Sequence, residues 1–308
     1  MGGMKLDSIC IREAPHETES LAVALRSVAA AAGVTFDYDD LCAALGVSFT
    51  AVSVGSEPSP GWWTTYGRDA FLTPAARLFG LHVRDLHPPE VAIELTTAEE
   101  FDQHWELSYK PHIQQALRNG QPVLAWQGWP EARWPFWGVI TSERGGKLTG
   151  CTIWSEGQPV ELVEPALQCY VVEVAEPFQP QRDRLLATAL AHANAYINGA
   201  PYACGVPGAA APPIITGPSA FDAWETWLAS DAAIEAAGGG AWNEHRQHAE
   251  FIATARASAE RFLARMQEVA GAAHAETLAR AIESARDVQR WLARSRDASI
   301  ARAAFAQR

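Results

Sequence analysis

The sequence predicts an α+β domain over residues 1–176, followed by an all-α helical bundle over residues 177–308. Three observations predict it. Apolar residues in the first 120 positions recur mostly at helical spacing. From Gln121 the pattern becomes extended, with short turns between successive strands. After Pro177-Phe178-Gln179-Pro180 it becomes helical again.

The chain is organised around Glu17 to Gly33. Leu21, Ala24, Leu25 and Val28 recur at helical spacing, Thr18 suits an N-cap, acids flank the first turn, and Gly33 suits a left-handed stop. Small residues dominate this helix, so other elements can approach it closely. Before it, Ser8-Ile9-Cys10-Ile11 suits a short strand. After it, Asp37 to Gly46 has an acidic start and a glycine stop, which marks a second helix. Residues 51–62 hold Gly55, Pro58, Pro60 and Gly61 and suit a loop. A third helix is expected from Thr64 to Phe79, disturbed by Pro74 and ended by Gly80. Leu81 to Leu86 alternates like a strand, Thr96 to Glu100 suits a capped helical turn, and Lys110 to Asn119 suits a helix closed by Gly120.

The strands expected next are 122–126, 137–141, 147–154 and 167–174. Arg144-Gly145-Gly146 forms the hairpin turn between the second and third. Sequential strands with short turns make an antiparallel sheet. In the bundle, helices are expected over 184–197, 219–236, 242–270 and 277–292, with a long Gly/Pro/Ala loop at 198–218 and a break at Gly238-Gly239-Gly240.

The 308 residues are 48% hydrophobic and 19% charged, enough for two domains with real cores. A net charge of −12 argues against general nucleic-acid or anionic-membrane binding. Residues 244–308 hold eleven Arg against eight Asp or Glu, so the acid excess lies in the earlier part. Cys10, Cys42, Cys151, Cys169 and Cys204 are scattered, with no C-x-x-C pair, and suit reduced core thiols. Met1-Gly2-Gly3-Met4-Lys5 leads into no long apolar run, and no apolar stretch is long enough to span a bilayer. A cytoplasmic protein is therefore expected.

Four segments carry a likeness to a known family. The first is Ala24-Leu25-Arg26-Ser27-Val28 ending at Gly33, with Tyr38 and Leu41. The second is Trp63, Arg68-Asp69 and Leu78-Phe79-Gly80-Leu81. The third is Ile113 to Gly120, Gln121-Pro122-Val123-Leu124 and Trp137-Gly138-Val139-Ile140-Thr141. The fourth is Trp224 and Trp227, with Arg256 to Leu263 further on. Together they span most of the chain. In this order the chain resembles a bacterial family of papain-like, bacteriocin-processing-peptidase-like domains, to which the N-terminal domain of butirosin biosynthesis protein H belongs.

The resemblance implies a papain-like cysteine-peptidase fold, with the central helix packed on the antiparallel sheet. It also implies a mechanism. A cysteine at the start of the central helix attacks an acyl carbon, a histidine on the sheet is the base, an Asp or Asn orients that histidine, and an upstream Gln completes the oxyanion hole. Carried onto this chain, the nucleophile position is Ser20 and the glutamine position falls at Glu13-Ala14. The histidine position falls at Phe136 or Trp137, and the orienting residue falls near Trp154. All four roles are vacant. The expected protein has therefore lost its catalytic Cys and His and binds a small molecule or partner in an aromatic-lined cleft. The alternative is an amide hydrolase or acyltransferase that uses Ser20 or Cys10 as nucleophile.

Residues 126–137 are rich in Trp and Phe, which either plug the old cleft or wall a pocket with Glu131 or Arg133 at its mouth. The candidate ligand-binding residues are His16, Ser20, Trp62, Trp63, Trp134, Phe136 and Trp137, with Tyr66 as a further contributor. Strand alternation points Phe136 and Trp137 to opposite faces, so only one of them can reach Ser20. His245-x-x-His248 has the spacing of a metal pair, but among arginines it suits a solvated helix face, so no metal site is assigned. No cofactor is expected. A homodimer through the helical domain is the expected form of any self-association.

Overall fold

The computed structural model describes residues 5–9, 11, 16–54, 57–58, 71–86, 98–130, 136–175, 181–198, 214–237 and 240–295. The chain is α+β, with an antiparallel six-stranded sheet and C-terminal helices. It divides into two compact units. Among the described residues, 5–38 and 71–175 make the first, and 39–58, 181–198 and 214–295 make the second. The split expected between 176 and 177 therefore leaves one stretch on the wrong side. Residues 39–58 pack with the C-terminal helices.

In chain order the first elements are α1 (Ser20–Ala31), α2 (Tyr38–Ala44), β1 (Val52–Val54), β2 (Glu57–Pro58), α3 (Leu72–Leu78) and β3 (Leu81–Asp85). Helix α4 (Ala98–His104) runs through a π-helical turn at Trp105–Tyr109 into α5 (Lys110–Arg118). Strands β4 (Val123–Trp126), β5 (Trp137–Arg144), β6 (Lys147–Thr152), β7 (Val160–Glu161) and β8 (Gln168–Val174) follow. Then come α6 (Arg182–Ile197), β9 (Ile214–Thr216), α7 (Pro218–Ala229), α8 (Asp231–Ala237), α9 (Ala241–Gln267) and α10 (Ala272–Ser295).

The first unit is built on the sheet β3-β8-β4-β5-β6-β7, in which every neighbouring pair is antiparallel. The β5–β6 turn is Gly145-Gly146, both at positive φ, as a two-residue hairpin of this hand requires. Alternation gives the sheet two apolar faces. Val123, Ala125, Ile140, Leu148, Cys169 and Val171 form one core with Trp105, Tyr109, Ile113 and Ala116 from the 98–118 helical stretch. Trp137 and Val139 stand on the opposite alternation, on the strand that α1 packs against. Gly138 lies where a Cβ would come within 2.5 Å of the Trp129 indole, so the strand needs glycine there.

Three local expectations are corrected. Described residues 5–9 and 11 form no strand: Leu6–Ser8 is a 3-10 turn, although Ile9 and Ile11 are buried. The N-cap of α1 is Glu19 rather than Thr18, because its carboxylate reaches the N–H groups of Leu21 and Ala22. The turn expected at 96–100 and the helix expected at 110–119 are parts of one helical stretch. Trp105, Tyr109 and Ile113 recur every four residues and bury against the sheet. In α3, Pro74 is third in the helix, where its missing N–H belongs to the unpaired first turn.

The second unit joins α2 and a small sheet, β2-β1-β9, to helices α6–α10, so the bundle is not all-α. Asp39 and Asp40 lie in the first turn of α2, where the helix dipole favours acids. Arg261 on α9 grips Asp39 through two bonds of 2.7 and 2.8 Å, and Arg265 reaches Asp40 at 2.6 Å. The 3-10 turn Val47–Phe49 is tied to the same helix: Arg256 donates to the Ser48 carbonyl at 2.9 Å, and the Ser48 and Ser258 hydroxyls meet at 3.0 Å. These bonds account for the membership of residues 39–58. The helix expected at 219–236 is two helices, since Ser230 takes an extended conformation between them. Among the described residues, no helix is long and apolar enough to cross a membrane.

Candidate functional site

The site the sequence points to is the N-terminus of α1. Its first residues, Ser20 to Leu25, are all buried. Strand β6 ends at Thr152 opposite Gly138, one residue short of Trp137. The Trp137 backbone N–H donates instead to Ser20 Oγ at 3.0 Å, across 117 residues of sequence. The start of β5 and the start of the central helix therefore meet.

The groups around this contact are charged and paired. The Glu19 carboxylate, 2% exposed, accepts from the Leu21 N–H at 3.2 Å and the Ala22 N–H at 2.5 Å. Its backbone N–H donates to the Tyr38 hydroxyl at 2.9 Å. Two residues earlier, buried Glu17 pairs with Arg26 through both carboxylate oxygens. The Arg26 guanidinium also lies 5.9 Å from the Tyr38 ring centroid. His16 is exposed. It stands 3.8 Å from the Glu17 carboxylate and edge-on to Tyr38, with ring centroids 6.3 Å apart.

This arrangement is poor for acyl transfer. A helix N-terminus stabilises a nucleophilic anion through free N–H groups and the dipole. Here those N–H groups already hold a carboxylate, and a neighbouring negative charge disfavours a second one. Ser20 Oγ spends a lone pair on the Trp137 N–H. The remaining described histidines of this unit stand elsewhere: His82 is exposed on β3, His104 lies 4.6 Å from Tyr109 in the helical stretch, and His112 contacts the Ser108 carbonyl. The described cysteines, Cys42, Cys151 and Cys169, are buried. Burial, and secondarily the charge of Asp85, push the Cys169 thiol far up, so it is chemically inert.

Phe136 and Trp137 do diverge as alternation requires. Trp137 is 1% exposed and its ring lies against Tyr170, with centroids 5.6 Å apart. Phe136 joins the core under the 98–118 helical stretch and meets the exposed Trp154 at 6.5 Å. Both rings fill space rather than line an opening. Near Trp154, where the orienting residue was expected, the carboxylate of Glu156 and the amide of Gln158 are exposed. Cys10, Glu13, Ala14, Trp62, Trp63, Tyr66, Glu131, Arg133 and Trp134 lie outside the described residues.

Sequence reasoning missed the Glu19 cap, the Glu17–Arg26 pair and Tyr38 as their partner. It also placed His245 and His248 on a solvated face, whereas they are 6% and 1% exposed. A signal was present. Positions 241, 245, 248, 252, 255, 259, 262 and 266 alternate steps of four and three, so both histidines share the buried seam of α9 with Ile252 and Phe262. Among the described residues, no three His, Cys, Asp or Glu side chains group as a metal site. No protein-family model and no curated protein matches this chain.

Proposed function

We propose that this chain is a non-catalytic protein of papain-like fold that binds a small molecule or partner instead of turning over an amide. The fold assignment is supported by the meeting of Ser20 with the first residue of β5, the junction that the family resemblance requires. The observation that carries the loss of catalysis is the Glu19 carboxylate on the first N–H groups of α1. It closes with the protein's own charge the place where a thiolate or oxyanion would be held. The binding part of the proposal rests on Trp62, Trp63 and Trp134 of the sequence.

An acyl thioester probe and a fluorophosphonate, each followed by peptide mapping, test the proposal on the intact chain. The expected result is no activity-dependent labelling and no difference between wild type and Ser20→Ala. Specific acylation of Ser20 or Cys10, or a turnover that Ser20→Ala abolishes, would establish the hydrolase or acyltransferase alternative. Thermal stabilisation by an apolar small molecule, weakened by Trp63→Ala or Trp134→Ala, is the expected positive result.

A further inference from the structure

We propose that the guanidinium of Arg256, on α9, is a binding site for the carboxylate of a small ligand. Arg256 and Arg261 stand five residues apart on this helix and use their guanidinium groups differently. Arg261 turns its Nε–Nη2 edge to Asp39, with bonds of 2.7 and 2.8 Å, the two-point geometry that matches a carboxylate. Arg256 donates through Nη1 to the Ser48 carbonyl at 2.9 Å. Among the described residues its Nε–Nη2 edge meets no acceptor, and no carboxylate pairs with it. The acids nearby are committed elsewhere. Arg261 and Arg265 hold Asp39 and Asp40. Glu260, one turn along α9 from Arg256, accepts from Arg286 at 2.7 Å on one oxygen and from Gln289 at 2.9 Å on the other.

A guanidinium has five N–H donors and stays charged at neutral pH, so a single carbonyl leaves it short of both bonds and counter-charge. Arg256 is half-buried, and burial lowers its pKa to about 10, with no carboxylate raising it. This cation has lost hydration without gaining an ion partner, and an incoming anion restores what was lost. The free edge is also set in place beforehand. Ser48 is fully buried, and its hydroxyl meets that of Ser258 at 3.0 Å, which anchors the turn that Nη1 grips. Thr50, two residues beyond Ser48, buries its hydroxyl without a hydrogen-bond partner, so the same stretch carries a second unsatisfied polar group. One guanidinium balances one negative charge. Beside Glu260, on a chain of net charge −12, a monoanionic carboxylate fits and a phosphate dianion does not. The site lies in the second unit and shares no residue with the N-terminus of α1.

Benzoate and inorganic phosphate are the probes, titrated into the full chain and read by ligand-observed NMR for benzoate. One two-point contact on so small a ligand gives a Kd on the order of millimolar. Arg256→Gln should weaken benzoate binding at least about tenfold. Arg256→Lys, which keeps the charge and loses the fork, should also weaken it, while Arg246→Gln, at an exposed position of the same helix, should not. Phenylglyoxal modification followed by peptide mapping reads the site in the wild type and decides if Arg256→Gln does not fold. At about 20 mM benzoate the modification of Arg256 should slow about tenfold. That of Arg246 should be unchanged, and phosphate at the same concentration should protect Arg256 less. Benzoate binding that survives Arg256→Gln, an Arg256 modification rate that benzoate does not change, or better protection by phosphate than by benzoate would overturn the inference.

Discussion

At the N-terminus of α1, in the first unit, buried polarity is charged and paired. On the α7–α9 face of the second unit it is carried by imidazoles among indoles. Glu17 is answered by Arg26, and Glu19 by two backbone N–H groups. His245 and His248 are instead set among aromatic rings. Each unit is therefore vulnerable to a different change. Ordinary carboxylates and guanidinium groups keep their charge between pH 5.5 and 8, whereas imidazoles change theirs within it. The first unit is sensitive to removal of a partner, and the second to acidification.

The largest effect in the first unit is expected at Arg26. Arg26→Ala leaves the Glu17 carboxylate buried without its cation. A fully buried pair broken this way loses about 3–5 kcal/mol, but Arg26 is 29% exposed, so about 2 kcal/mol is expected after screening. Thermal unfolding should show a fall of about 5 °C. A smaller effect, about 1 kcal/mol, is expected for Glu19→Gln, which keeps a capping oxygen but loses its charge. Chemical denaturation at pH 7 checks it, and a change indistinguishable from zero would mean that the cap does not hold α1.

In the second unit, His192 is the group whose charge responds to pH. It is buried on α6, with Nδ1–H donating to the Ala44 carbonyl. Burial holds its imidazole below the ordinary range, and the bond to Ala44 offsets part of that. With the folded value below the unfolded one, its contribution to stability is intact above about pH 6.5 and is lost as pH falls below that. His192→Asn should therefore destabilise by a few tenths to about 1 kcal/mol at pH 7.5, and the gap to wild type should close by pH 5.5. Denaturant titrations at the two pH values measure that gap. A gap that widens on acidification would show that His192 is charged in the folded state.

Much of this architecture was legible in the sequence. Helices α6, α9 and α10 follow from apolar spacing, and β4, β5, β6 and β8 follow from extended runs with the Gly145-Gly146 turn between β5 and β6. What was not legible depends on partners distant in the chain. Residues 39–58 belong to the second unit because Asp39 finds Arg261, and β1 pairs with β9 across some 160 intervening residues through three residues each. The α1 cap is one residue later than expected because the Glu19 side chain reaches forward to the Leu21 and Ala22 N–H groups. The meeting of Ser20 with β5 was reached through the family resemblance and strand geometry. Glu19, the residue that defines that site electrostatically, was visible only as one of several acids near a helix start.

At the start of α1 the Glu19 carboxylate occupies N–H groups that a nucleophilic anion would need. The pH dependence of alkylation of the thiol introduced by Ser20→Cys, followed by peptide mapping, tests it most directly. At a working helix N-terminus with a histidine beside it, a thiol titrates at about 3.5–7.5. With the Glu19 carboxylate on the N–H groups, the introduced thiol should titrate at or above the ordinary value of about 8.5. A midpoint below about 7 would contradict the account and restore the site to the chemistry of thiol hydrolases.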